Sequence, residues 1–242
     1  MMTAGSSQSG RSRGTTASWG NRSMITQGTV TAMATLSDDE VAAVSTPGVG
    51  PHPMPWPDGD RYDPELLAEG DRRNVADKYR YLSVESIVAD LDTRRQPLHV
   101  AIQNWEHDFN IGSIVRTANA FNVEAVHSVG RRRWNRRGAM VTDRYLHVHH
   151  HPDEEGFLAW LDAHDVVAVG VDNIPGSVPL ETADLPQRCC LVFGSEGPGL
   201  TDTLAAGCTQ LVAITQYGST RSLNAGAAAA IAMYHWARQW AA

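Results

Sequence analysis

Three short segments gather polar side chains beside glycine, and each could hold or activate a small ligand. The first runs from Asn110 through Gly112 to Arg116, with Asn104 just upstream. An asparagine at a helix start caps it by accepting a backbone N–H, and a glycine lets another backbone approach. Arg116 follows Asn110 by six residues, about 600° of helical rotation, so the two are not stacked on one face. Such an arginine reaches an anion at the edge of the core, or lies on a solvated helix face. The second segment, Val192-Phe193-Gly194-Ser195-Glu196-Gly197-Pro198-Gly199-Leu200, sets three glycines within six positions after an apolar run. Its spacing is neither a dinucleotide fingerprint nor a phosphate loop. Glu196 would repel phosphate, which favours a ligand without one; an ordinary turn is the alternative. In the third segment, Val212 to Asn224, a strand runs into a loop with Gln216, Tyr217, Gly218, Arg221, Ser222 and Asn224. Ser222 or a neighbour would cap the helix that follows.

Two further clusters stand out. Arg131, Arg132, Arg133, Arg136 and Arg137 surround Trp134 in an otherwise acidic chain. Arginine pairs with phosphate and an indole stacks on an unpaired base, so this loop is the candidate RNA-binding surface. A solvated charge run is the competing reading. His147, His149, His150 and His151 form the second cluster. They lack the spacing across elements and the nearby cysteines of a zinc site, so no metal is expected. An exposed strand end that touches RNA is the preferred account.

The elements that must position these groups alternate. LHVAIQ (98–103), VEAVHSVG (123–130), VVAVGV (166–171), CCLVFG (189–194) and TQLVAI (209–214) read as buried strands. Residues 110–121, 153–164, a short stretch after Gly199, and the alanine-rich 222–240 read as helices. Strand–helix alternation with short apolar strands predicts an α/β fold with a mainly parallel sheet over 97–242. Residues 61–96 form a helical lead-in. Residues 1–60, rich in Gly, Ser, Thr and Pro, are expected to be a disordered extension. A transit peptide is a weaker reading of the basic N-terminus, and Met24, Met33 and Met54 are alternative starts.

Bulk composition narrows the function. The net charge of −7 excludes a generic polyanion binder, so any nucleic-acid contact needs a local basic patch. No apolar run is long enough to span a membrane. Cys189, Cys190 and Cys208 make no disulfide framework, and buried thiols in a reducing cytoplasm are expected. Cys189 and Cys190 should point to opposite faces of one strand.

Taken in order, Asn-x5-Arg-Thr-Ala, Phe-Gly-Ser-Glu-Gly-x-Gly and Gly-x-x-x-Ser-Leu-Asn resemble the three motifs of the SpoU–TrmH family of RNA 2′-O-ribose methyltransferases, within the SPOUT superfamily. The resemblance covers about residues 97–240. It implies a methyltransferase domain whose C-terminal segment forms a deep trefoil knot, and it implies S-adenosylmethionine as cofactor. Cofactor-binding positions would be Gly194, Ile214 and Leu223. The functional polar positions would be Asn110, Arg116, Glu196, Ser222 and Asn224, with Arg116 as the main catalytic residue. Ser222 and Asn224 would position Arg116 and the target nucleotide, and Glu196 would fix the knot loops. The resemblance also implies a homodimer, with Ile231, Tyr234, Trp236 and Trp240 of the last helix as candidate interface. One departure is Ile214-Thr215-Gln216, where many relatives have Ile-Pro-Met. Gln216 with Arg221 is similar to the tRNA-modifying branch, so tRNA is the expected substrate. The same reaction on ribosomal RNA, or a catalytically silent RNA-binding protein of the same fold, are the alternatives.

Overall fold

β-branched and other apolar residues dominate the strand segments, and they assemble into one seven-stranded sheet with every pairing parallel. The computed structural model describes residues 48–104 and 110–241. The remainder of the expected N-terminal extension, including Met24 and Met33, lies outside the described residues.

The strands are β1 (Gln96–Asn104), β2 (Val123–Gly130), β3 (Val148–His151), β4 (Val167–Val171), β5 (Val178–Pro179), β6 (Cys189–Phe193) and β7 (Gln210–Ala213). Their order across the sheet is β3-β2-β1-β6-β4-β7-β5. The α-helices among the described residues are α1 (Pro64–Glu69), α2 (Val84–Asp92), α3 (Asn110–Ala120), α4 (Glu154–Ala163), α5 (Asp202–Gly207) and α6 (Ala225–Trp240). β3 and β5 are elements that the apolar pattern did not announce, because both are short and largely exposed edge strands.

The two-residue period of the strands sorts the core into two layers. Leu98, Val100, Ile102, Cys189, Leu191 and Phe193 face α3 and α6, whose Ile111, Ile114, Ala229, Met233 and Trp236 cover them. Ala101, Cys190 and Val192 face the opposite layer, with Phe157 and Leu161 of α4 and Leu204 of α5. Adjacent Cys189 and Cys190 thus enter different layers, and burial pushes the Cys189 thiol up to about 12.

The last helix is more buried than a dimer surface allows at one position. Trp236 is fully buried, and its Nε1 donates to the carbonyls of Pro186 and Gln187. It is therefore a core residue rather than an interface candidate. Ile231, Tyr234 and Trp240 are 43%, 59% and 44% exposed, so the helix does present an apolar outer stripe.

The lead-in is held by polar pegs. Asp63 caps α1 by accepting from Glu65 N and Leu66 N, and Ser83 caps α2 through Ser86 N. Burial would raise the Asp71 pKa. Hydrogen bonds from the Arg73 side chain and backbone and from Tyr81 N overcome this and hold it at about 2. Upstream, Val49 and Asp71 exchange backbone hydrogen bonds at 2.9 Å, and Tyr81 Oη donates to Gly50 O at 2.6 Å. Backbone pairing of this kind carries no side-chain pattern, so a Pro/Gly-rich sequence does not reveal it.

Candidate active site

The loops after β4, β6 and β7 leave the same end of the sheet and enclose a cavity of about 370 Å³. That size falls within the range of about 300–1,000 Å³ for small-ligand sites. Its wall includes Asp172 and Asn173 after β4, Gly194 to Gly197 after β6, and Ile214, Gln216 and Ser222 to Ala225 after β7. Among the described residues no lysine, arginine or histidine lines it.

Glycine is needed where two loops touch. A Cβ on Gly194 would lie 2.0 Å from the carbonyl carbon of Gly199. Gly199 has φ +77°, and a Cβ there would lie 2.3 Å from Asp172 Oδ2. The same Asp172 oxygen accepts from Leu200 N at 2.7 Å, so the loop after β4 holds the loop after β6. Sequence reasoning missed Asp172, because a single aspartate at a strand end carries no spacing signal.

A polar chain joins all three motif segments. Asn110 Nδ2 donates to Glu196 Oε2 at 2.5 Å, and Asn224 Nδ2 donates to Asn110 Oδ1 at 2.7 Å. Asn224 Oδ1 in turn accepts from Ala227 N at 3.2 Å, which makes it the cap of α6. Ser222 instead lines the cavity. Gly226 allows this convergence, since a Cβ there would be 3.1 Å from Asn224 Oδ1 and 3.3 Å from Ser113 Cβ.

Of the expected cofactor positions, Gly194, Ile214 and Leu223 all line the cavity, as do Glu196, Ser222 and Asn224. Arg116 does not. It is exposed on α3, and no hydrogen bond or ion pair to a described residue engages it. Ser222 and Asn224 therefore do not hold it within this chain. Gln216 Nε2 donates to Arg221 O at 3.3 Å, while its Oε1 is buried with no partner among the described residues.

The basic loop is built onto the same helix as Arg116. A Cβ on Gly112 would lie 2.7 Å from Gly138 Cα, so α3 and the 3-10 turn Arg136–Ala139 touch through their backbones. Asn104 Nδ2 ties the loop down by donating to the carbonyls of Arg131 at 2.6 Å and Arg133 at 3.1 Å. All five arginines are exposed. Trp134 is half-buried against the core, with the Arg136 guanidinium 5.7 Å from its ring centre.

Two buried polar groupings were not read from the sequence. Gln103 Nε2 and Thr201 Oγ1 donate to Glu154 Oε1 at 2.7 Å and Oε2 at 2.8 Å, linking β1 to α4 and α5. His99, His127 and His151 form a chain across β1, β2 and β3, with ring nitrogens 3.1 Å and 3.0 Å apart. Within the tetrad singled out earlier, His151 is thus interior, whereas His149 stays at the surface. Among the described residues no group of His, Cys, Asp or Glu is arranged to hold a metal ion, and no helix is long and apolar enough to cross a membrane.

An open parallel sheet with a cavity at its strand ends, walled by the loops after β4, β6 and β7, defines a small-ligand enzyme site of the α/β class. Residues 97–234 match the SpoU rRNA Methylase family, and the chain belongs to that family. It is 27% identical over 156 residues to the tRNA (guanosine(18)-2′-O)-methyltransferase of Escherichia coli K12, covering 63% of this chain and 68% of that one. An AdoMet-bound rRNA methyltransferase from Sinorhizobium meliloti superposes with a TM-score of 0.54 at 27% identity, over 62% of this chain and 60% of that one. The SpoU methyltransferase AviRb from Streptomyces viridochromogenes, in complex with AdoMet, superposes with a TM-score of 0.55 at 26% identity, over 62% and 63% of the two chains. The chain thus spans less than two thirds of these two solved relatives.

Proposed function

We propose that this protein transfers a methyl group from S-adenosylmethionine to a ribose 2′-hydroxyl of RNA, with tRNA as the substrate. The observation that carries this reading is the Glu196–Asn110–Asn224 chain, which unites the three family motifs at the wall of one cavity. The cavity fits the cofactor. Gly194 and Gly199 let the wall loops pack closer than any Cβ would allow, and the absence of basic lining groups among the described residues suits a ligand without phosphate. When bound, the cofactor supplies an electrophilic methyl carbon. Gly194, Ile214 and Leu223 would hold it, while Glu196, Asn110 and Asn224 keep the loops in register.

The 2′-oxygen is a weak nucleophile until its proton is being lost. A guanidinium with a pKa above about 12 is a poor base at neutral pH. Arg116 is therefore assigned to orienting a phosphate and polarising the hydroxyl, and having no partner among the described residues leaves it available. Arg131 to Arg133, Arg136 and Arg137, on a loop packed against the same helix, supply the phosphate contacts. Holding the reactants in line accounts for much of such catalysis.

Further features belong to the same reading. The family's knot would be formed by the chain after β6, which leaves its place between β1 and β4 and crosses to β7 on the far side of β4. Ile231, Tyr234 and Trp240 would meet a second copy in a homodimer working in the cytoplasm, and Arg116 would then act across that interface or on RNA directly. Ribosomal RNA is the second substrate reading, favoured by the family's description. The test is methyl transfer from labelled cofactor to purified tRNA and rRNA, comparing the full chain with Arg116→Ala. Labelled tRNA that vanishes in the variant, with cofactor binding retained, supports the proposal. If neither RNA is labelled although the cofactor binds, the enzymatic reading fails for those substrates.

A further inference from the structure

The cavity is electrically one-sided. Among the described residues Asp172 and Glu196 line it, and no basic side chain does. Both carboxylates are held in place. Asp172 accepts from Leu200 N through Oδ2 and from Asn173 N through Oδ1, each at 2.7 Å. Glu196 accepts from Asn110 Nδ2 at 2.5 Å. Neither forms an ion pair among the described residues. Arg221 lines the neighbouring groove and is exposed to solvent. The N-terminus of α6 adds about half a positive charge, less than the two carboxylates carry.

Resting on the cofactor reading above, we propose that Asp172 and Glu196 make this cavity select the sulfonium-bearing cofactor over its demethylated product. S-adenosylmethionine carries a sulfonium and an ammonium against one carboxylate. Methyl transfer breaks the carbon–sulfur bond, leaves its electron pair on sulfur, and turns the sulfonium into a neutral thioether. The product therefore has one positive charge fewer than the ligand the cavity wall attracts, and it leaves more easily. A carboxylate a few ångströms from a sulfonium in a solvated cleft favours the cation by about five-fold.

Calorimetric titration of the full chain with S-adenosylmethionine, S-adenosylhomocysteine and sinefungin tests this. Sinefungin carries an ammonium in place of the methyl-sulfonium and should group with the cofactor. In the wild type the product should bind about five-fold or more weakly than the cofactor. Asp172→Asn and Glu196→Gln should each bring that ratio towards one, and added salt should do the same. Asp172→Asn sets an amide donor against one of two backbone N–H groups, so both ligands lose affinity, but the ratio cancels that common loss. Glu196→Gln keeps an oxygen for Asn110. A wild-type ratio at or below one, or a ratio unmoved in both variants, overturns the proposal. If the wild type binds none of the three ligands, the cofactor reading itself fails and this proposal with it.

Discussion

Lowering the pH from 7 to 5 should destabilise the folded chain by about 4 kcal/mol through two interior histidines. His99 and His127 are 2% and 0% exposed, on adjacent strands, with ring nitrogens 3.1 Å apart. Burial is the main cause that holds the His99 pKa down at about 4. For His127, burial and then the neighbouring His99 and His151 hold it at about 2. Glu124, 3.9 Å from His99 Nε2, pulls the other way. Both folded pKa values lie below the unfolded value of about 6.5. The unfolded chain therefore binds protons first as pH falls, and stability is lost from about 6.5 downwards. Each ring loses about 1.4 kcal/mol per pH unit, hence about 2 kcal/mol by pH 5. His151, mainly by burial, and the partly desolvated His149 at the surface are shifted downwards as well and add in the same direction. Asp71, held at about 2, loses its contribution only below about pH 4 and does not confuse this window. Denaturant melts at pH 7, 6 and 5 read the slope, and His99→Gln should remove about half of it. Equal stability at pH 7 and 5, or an unchanged slope in the variant, would refute the reasoning.

Other outcomes follow from the same structure. Gly194→Ala drives a Cβ to within 2.0 Å of Gly199; cofactor affinity measured by calorimetry should fall at least about ten-fold, about 1.4 kcal/mol, with the circular dichroism spectrum retained. Asp71→Asn breaks a buried pair with Arg73 and should cost about 3–5 kcal/mol in a urea melt. Phe157→Ala, at a fully buried ring, should cost a similar 3–5 kcal/mol or so. Replacing Arg132 and Arg133 by glutamate should weaken RNA binding and flatten its dependence on salt, while cofactor affinity stays the same.

The sequence announces the interior of this fold and much of its site, for physical reasons that differ from element to element. Buried parallel strands need apolar residues on both faces, so β1, β2, β4 and β6 show themselves directly. Edge strands β3 and β5 do not, because exposure lets polar residues and proline into them. Gly194, Glu196, Ser222 and Asn224 are legible through glycine-bearing segments that resemble family motifs, and all four line the cavity. Asp172 stays invisible, since its role depends on meeting Leu200 from another loop. The histidine chain is hidden likewise, as its members sit on three different strands. Asn224 rather than Ser222 caps α6, a two-residue shift that cap propensity alone does not resolve.

The central claim is ribose methylation of RNA, and analysing nucleosides of the modified RNA tests it most directly. tRNA incubated with the full chain and isotopically labelled S-adenosylmethionine would be digested and separated by liquid chromatography and mass spectrometry. The account predicts a labelled 2′-O-methyl nucleoside that disappears with Arg116→Ala. Label found only on a nucleobase, or persisting undiminished in the Arg116→Ala protein, would contradict it.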